Sequence, residues 1–369
     1  MTSGFVPPAY PYDRLDALRP KASEHEGGVV DLSIGDPFDP PPQIVIDALA
    51  NSSSERKYPP SIGSVAYREA AQQWSARELG VQLELSQLAA CIGTKEFVAG
   101  LPHWLRLRTP DRDTVLYPAI SYPSYEMGAQ LAGARAVAVP VAPDGRLQLE
   151  TVSPDDAKRA LCLWVNSPGN PTGQLDDLQS AAEWGRAHNV LVFSDECYVE
   201  FTWSGQRQSI LQHGIEGVVA VHSLSKRSNL AGVRAGFYAG DPEIVRYLSE
   251  LRKHAGFMVP GPVQAAAVAA WSDQTHVEEQ KQRYLERLHF MRDVLAQMGV
   301  DAPMPQGAFY LWAPAPNGDA WSLVNRFAED GGAIISPGEF YGVDGAGFVR
   351  IAVVQPIERL ELVAKRLLG

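Results

Sequence analysis

From about residue 42 onward, short runs of apolar and β-branched residues alternate with amphipathic stretches. The runs are DTVLYP (113–118), RAVAVPV (135–141), LCLWVNSP (161–168), VLVFSDECYV (190–199), VVAVHSL (218–224) and VRAGFYAG (233–240). Their near-continuous apolar character is that of strands covered on both faces of a sheet. Helical patterns such as DDLQSAAEWGRAHN (176–189) lie between them. Several runs recur at about thirty residues, the length of a strand–helix–strand unit. The pattern predicts an α/β fold with a mostly parallel sheet between helices.

Beyond about residue 260 the texture changes. The charged, amphipathic stretch 276–298 predicts a helix bridging two units, and GAFYLW (307–312) and GFVRIAVV (347–354) predict strands of a smaller α+β unit. The proline-rich N-terminal segment ends in GDPFDPPP (35–42), which stops any regular element and reads as an extended arm or a boundary. The expected organisation is a large domain over 42–270 and a small one combining 1–41 with 271–369.

At 369 residues the chain is too long for one small core, which agrees with two units. Its net charge of −11 offers no basic footprint, so neither nucleic acid nor an anionic membrane is an expected partner. The three cysteines follow no paired spacing and read as small buried residues in a reducing compartment. The eight histidines show no metal-ligand spacing, so no metal site is expected. The first residues carry no signal-peptide pattern and no run is long enough to span a membrane. A cytoplasmic protein is the expectation.

Ligands of such sheets gather at the carboxyl ends of the strands, and chemically odd residues fall there: 166–173, 195–198 and 223–227. Ser223 and Ser225 share one side if the chain stays extended, and Arg234 follows closely. Two hydroxyls and a planar guanidinium suit a phosphate. An amine beside a bound phosphate, Lys226, suggests a Schiff base with an aldehyde cofactor; the ordinary alternative is a solvated lysine. Asp195 closes an apolar run, where it is either solvent-facing or paired, and a pyridoxal ring nitrogen would be such a partner. Asn170 in NSPGNPTG is a turn residue or a rigid amide donor. Tyr198 offers a second donor or simply packs. Thr94 and Lys95 precede a helical pattern whose free N–H groups suit phosphate. Tyr122 is a ring-stacking candidate or a core residue. Arg350 interrupts an apolar strand and is either at an edge or paired, a substrate carboxylate being the favoured partner.

The ordered set KYPPSIGSVAYREA (with Tyr58, Gly63 and Arg68), NSPGNPTG, SDECY, SLSK, Arg234 and Arg350 resembles the class I/II pyridoxal-phosphate-dependent aminotransferases. The resemblance runs from Gly35 to Arg350. It implies the aspartate aminotransferase-like fold (fold type I), with pyridoxal 5'-phosphate as cofactor and Lys226 as the Schiff-base lysine. Asp195 would pair with the ring nitrogen, Asn170 and Tyr198 with the ring oxygen O3′, and Tyr122 would stack on the ring. Ser223, Ser225, Arg234, the backbone at Thr94 and Lys95, and Tyr58 of a second subunit would hold the phosphate, which implies a homodimer. Arg350, Asn170 and the Gly35 backbone would hold the substrate α-carboxylate. An amino acid and a 2-oxo acid would be the substrates, with glutamate and 2-oxoglutarate as one pair.

SLSKRSNLAGVRAGF is similar to the succinyldiaminopimelate aminotransferases of bacterial lysine biosynthesis. No motif fixes the cation for a distal carboxylate, and Arg227 reads equally as a surface charge. The alternatives are another class I donor (aspartate, alanine or an aromatic amino acid) or a lyase of the same fold. Ser223 to Lys226 also spells the S-x-x-K of serine acyl-enzymes, but no K-T-G accompanies it. A cofactor-sensing regulator is disfavoured by the acidic balance.

Overall fold

The computed structural model describes residues 4–369. Among the described residues twelve strands run in chain order: β1 Val30–Asp31, β2 Leu88–Cys91, β3 Thr114–Pro118, β4 Arg135–Val139, β5 Ala160–Asn166, β6 Leu191–Asp195, β7 Val218–Ser223, β8 Gly236–Gly240, β9 Tyr310–Pro314, β10 Ala333–Ile334, β11 Ser336–Pro337 and β12 Phe348–Ala352. Seven of them form one sheet in the order β2-β8-β7-β6-β5-β3-β4. Neighbours from β7 through β4 pair in parallel, whereas β8 runs antiparallel to both β2 and β7.

Helices cover both faces, which explains why the strands read as apolar throughout. Alternate residues point to opposite sides: Leu163, Val165 and Val192 meet helices Val65–Leu79, Leu178–His188 and Gly261–Ser272. Trp164, Phe193 and Val219 meet helices Thr94–Arg108, Ser124–Leu131 and Pro242–His254. The period-two alternation is present, but burial on both sides removes its polar half.

A separate core gathers residues 284–367 with Leu15, Ala22, Val30 and Leu32 of the N-terminal segment. There β11, β12 and β9 form an antiparallel sheet, and β1 pairs in parallel with β10. Helix Thr275–Gln297 joins the two regions. No helix among the described residues is long and apolar enough to cross a membrane.

The cluster 35–42 holds no regular element, as expected. Upstream of it Pro11–Leu18 and Arg19–Ser23 are helical, and Leu15 and Ala22 bury against the small core. The run 233–240 becomes a strand only at Gly236, because Arg234 sits in the left-handed region (φ 61°) after a short turn. Strand β2 fell outside the recognised runs, having only four residues.

Candidate active site

Strands β5, β6 and β7 end side by side, with Asn166 opposite Asp195 across the β5–β6 pair. Beyond these ends lies a cavity of about 390 Å³. Gly35, Thr94, Lys95, Tyr122, Asn170 and Asp195 line it, as do Tyr198, Ser223, Ser225, Lys226, Arg234 and Arg350. Of the residues assigned from sequence to the cofactor or substrate, Tyr58 lies elsewhere, 95% exposed on a loop beside a second, open cavity, and Gly63, Arg68 and Arg227 also line no part of the first.

One corner of the cavity is built for an anion. Ser223 closes β7 and caps the short helix Leu224–Arg227, accepting from Ser225 N–H at 3.1 Å. The strand has therefore ended, and it is this cap, not an extended chain, that brings the two hydroxyls within 3.0 Å. Gly93 (φ 71°) turns the chain into helix Thr94–Arg108, whose first N–H groups lie at the same corner. A Cβ at Gly93 would overlap the Arg234 guanidinium, which leans over it and donates to Ala231 O at 2.8 Å.

Lys226 stands at the centre, mostly buried, its Nζ donating to the Gly35 carbonyl. Burial pulls its amine down to about 8; Arg350 and Arg234 add to this, while Asp36 and Cys197 oppose it. Asp195 is buried and its donors are neutral: Tyr125 Oη at 3.0 Å and Cys197 N–H at 3.2 Å. Burial accordingly raises its pKa, so a cationic partner is what this carboxylate lacks.

Arg350, 2% exposed on β12, shows the complementary deficit. It donates to Asn170 Oδ1 at 2.8 Å and to Ser33 O, both uncharged acceptors, and its Nε is buried with no partner. The rings of Tyr310 and Tyr341 lie 4.3 and 4.7 Å from the guanidinium carbon. Taking up that bond commits the Asn170 oxygen and leaves its amide nitrogen for another acceptor. The segment carrying Gly35 is anchored by Asp39, which Arg287 grips bidentately at 2.6 and 2.8 Å.

Pyridoxal phosphate fits this donor set. The anion corner suits its phosphate, Asp195 its ring nitrogen, and Lys226 its aldehyde. The buried, unpartnered edge of Arg350 then suits a substrate carboxylate.

Sequence reasoning missed several participants. Tyr125, whose hydroxyl meets Asp195, and Tyr310, whose hydroxyl lies 2.6 Å from that of Tyr198, were not singled out. Tyr10, Tyr12 and Ile34 line the cavity from the N-terminal segment, and Cys197 lines it as well as packing. A buried phenol in an otherwise apolar run, as in GAFYLW, was the available signal. Arg227 is not a surface charge. It is 2% exposed and pairs with Glu200 at 2.9 Å, on the far side of the turn that carries Lys226. Beside it, Ser228, His276 and Asp273 are linked at 2.8 and 2.5 Å, a chain reminiscent of a hydrolase triad; Ser228 is 1% exposed and lines no part of the cavity.

The model of the family "Aminotransferase class I and II" matches residues 27–367. The chain is 39% identical to the 4-dedimethylamino-4-oxo-anhydrotetracycline transaminase OxyQ of Streptomyces rimosus, covering 98% of this chain and 99% of that one. It is 32% identical to the LL-diaminopimelate aminotransferase of Aquifex aeolicus, over 98% and 96%. Among solved structures it resembles a probable N-succinyldiaminopimelate aminotransferase from Thermus thermophilus, with a TM-score of 0.87, 33% identity, and coverage of 96% and 98%.

Proposed function

The chain belongs to the class I and II aminotransferases, which depend on pyridoxal phosphate, and on that premise we propose that it transfers the amino group of N-succinyl-LL-2,6-diaminopimelate to 2-oxoglutarate. The observation that carries the catalytic part is one cavity holding the low-pKa Lys226, the cation-deficient Asp195 and the anion-deficient Arg350. The substrate part is supported by the likeness to the Thermus protein and to the diaminopimelate enzymes.

When bound, pyridoxal phosphate supplies an aldehyde for the amine and a ring that takes the electron pair from Cα. Everything else falls to the chain. Lys226 moves the proton between the substrate Cα and the cofactor's C4′, as base and then as acid, and an amine near 8 serves both directions. Asp195 holds the proton on the ring nitrogen. Asn170 and Tyr198 donate to the ring oxygen, and Tyr122 packs on the ring. Ser223, Ser225, Arg234 and the N–H groups at Thr94 and Lys95 hold the phosphate. Arg350, Asn170 and the Gly35 backbone orient the α-carboxylate. Two half-reactions at one site give ping-pong kinetics. We also propose a cytoplasmic homodimer in which the exposed Tyr58 completes the neighbouring subunit's phosphate site, with 42–270 as the large domain and the two terminal segments as the small one.

A second reading has its own support. Tyr10, Tyr12 and Ile34 give the cavity mouth an aromatic and apolar rim. Such a rim also suits a bulky ring-bearing ketone, the kind of substrate named for the Streptomyces relative.

Titrating the purified, cofactor-loaded protein with a panel of amino donors, and the aminated form with 2-oxoglutarate and with a bulky ring-bearing ketone, decides between them, because each true donor bleaches the visible band of the Lys226-bound cofactor and each true acceptor restores it. Succinyldiaminopimelate is expected to bleach it, and Lys226→Ala to lose both band and turnover. Transamination by Lys226→Ala at the parent rate would refute the assignment of Lys226. Bleaching by aspartate, alanine or an aromatic amino acid, with none by succinyldiaminopimelate, would move the enzyme to a different donor.

A further inference from the structure

Tyr198 is expected to donate to the cofactor's ring oxygen, but its hydroxyl already has a neighbour. Tyr310 Oη lies 2.6 Å away, and both groups are buried. The two tyrosines come from different regions: Tyr198 follows β6 of the large sheet, whereas Tyr310 opens β9 of the small one. The Tyr310 hydroxyl has little freedom. A Cβ on Gly35 would overlap it, so the backbone of that segment presses directly on the phenol, and only glycine permits the approach. The Arg350 guanidinium sits over the Tyr310 ring. A cation on a phenol's face withdraws electron density and makes its O–H the better donor.

We propose that Tyr310 is a positioning residue for the transamination chemistry, its hydroxyl donating to the Tyr198 oxygen and so strengthening Tyr198's own donation to the ring oxygen. The direction follows from proton counting. Once Tyr198 commits its single proton to the ring, its oxygen can only accept, which leaves Tyr310 as the donor. Linked hydroxyls polarise one another, so the second bond strengthens the first. A better-supported ring oxygen holds more negative charge and pulls less on the proton shared with the Lys226 nitrogen. Tyr310 therefore lowers the pH at which that proton leaves. The other titratable or charged groups facing this pair are Arg350, Tyr12, Cys197 and Lys226, and all remain unchanged in the test.

The inference rests on the proposed cofactor and on Tyr198 reaching it. The experiment is a spectrophotometric pH titration of the visible band in cofactor-loaded protein. Tyr310→Phe is expected to raise the midpoint by about 0.5–1 pH unit, the size of one modest hydrogen bond. Tyr198→Phe should raise it further, and the double variant should match Tyr198→Phe alone, because Tyr310 acts only through Tyr198. Tyr310→Gln, which restores a donor, should return the midpoint toward the parent value and serves as the test if Tyr310→Phe fails to fold. An unchanged midpoint in Tyr310→Phe, a midpoint in Tyr310→Gln raised as far as in Tyr198→Phe, or a double variant displaced by the sum of the singles would overturn the proposal. Parent protein with no visible band in excess cofactor would instead sink the assignment of the cofactor site.

Discussion

Arg227→Leu tests whether the turn bearing Lys226 is held from behind. Arg227 donates through Nε to Glu200 (2.9 Å), through Nη1 to Ala270 O (2.6 Å) and Ser228 Oγ (3.1 Å), and through Nη2 to Asp273 O (3.1 Å) and Gln274 Oε1 (2.8 Å). Leucine keeps much of the volume between Trp271 and Trp74 but strands two carbonyls and half an ion pair. Glu200 is not wholly abandoned, since Arg207 (3.1 Å), Trp74 Nε1 (2.8 Å) and Gln274 (3.0 Å) remain. The expected loss is therefore about 3 kcal/mol, the lower end of the range for breaking a buried pair. It is measured as the free energy of the first urea transition at fixed pH and cofactor concentration. Arg227→Leu/Glu200→Leu should lose less than the two single losses together.

The acid limb gives an independent reading. Burial raises the Glu200 pKa, but Arg227 and Arg207 outweigh it and the net shift is downward. The pair's contribution is therefore complete above about pH 4.5, the ordinary glutamate value, and fades as pH falls through the depressed folded one. Removing Arg227 should start acid destabilisation at a higher pH. A variant within about 1 kcal/mol of the parent, with an unmoved acid limb, would refute the view of this network as the anchor of the turn.

Two further outcomes are expected. Gly93→Ala forces an alanine to a positive φ and drives its Cβ into the Arg234 guanidinium. Displacing a charged phosphate donor should weaken cofactor binding at least about tenfold, read from the visible band at varied cofactor concentration; an unaltered Kd contradicts the proposed phosphate corner. Lys226→Met removes an amine whose folded pKa of about 8 lies below the ordinary 10.5. Because the unfolded chain binds more protons between those values, the cofactor-free parent should gain stability as pH rises through that window. The variant should lose that rise and be about 3 kcal/mol more stable at pH 7; no gain in urea resistance over the cofactor-free parent would contradict the burial argument.

What the sequence disclosed and what it hid divide along one physical line. Asp195, Ser223, Lys226 and Arg350 were legible because polar groups inside apolar runs or at their ends are costly without a reason, and a single sequence displays that anomaly. Arg227 carried the same anomaly, but its partners Glu200, Ala270 and Gln274 are brought to it only by the fold, so its burial was invisible. Tyr310 and Tyr125 were harder to see: a tyrosine in an apolar strand or on the buried face of a helix is at most a weak signal, and its hydroxyl's neighbour is a tertiary fact. The reversal of β8 was equally unreadable, since its residues satisfy either direction of pairing.

The three charged groups at the centre of the cavity share a single cause. Each is withdrawn from water without a full counter-charge, which lowers Lys226, raises Asp195 and leaves the Nε of Arg350 unpartnered. Each deficit calls for a different complement: a carbonyl carbon that consumes the amine, a protonated ring nitrogen, and a carboxylate. On the proposed reading the cofactor would meet the first two needs, its aldehyde taking up the Lys226 amine until a substrate amine replaces it, and the substrate's carboxylate would meet the third. The large sheet contributes two of these groups and the small sheet the third, so the complement is complete only while Gly35 and Arg350 stay docked over Lys226. The Asp39–Arg287 ion pair, which pins the segment carrying Gly35 to the joining helix, therefore belongs to the architecture of the site although it lines no part of the cavity.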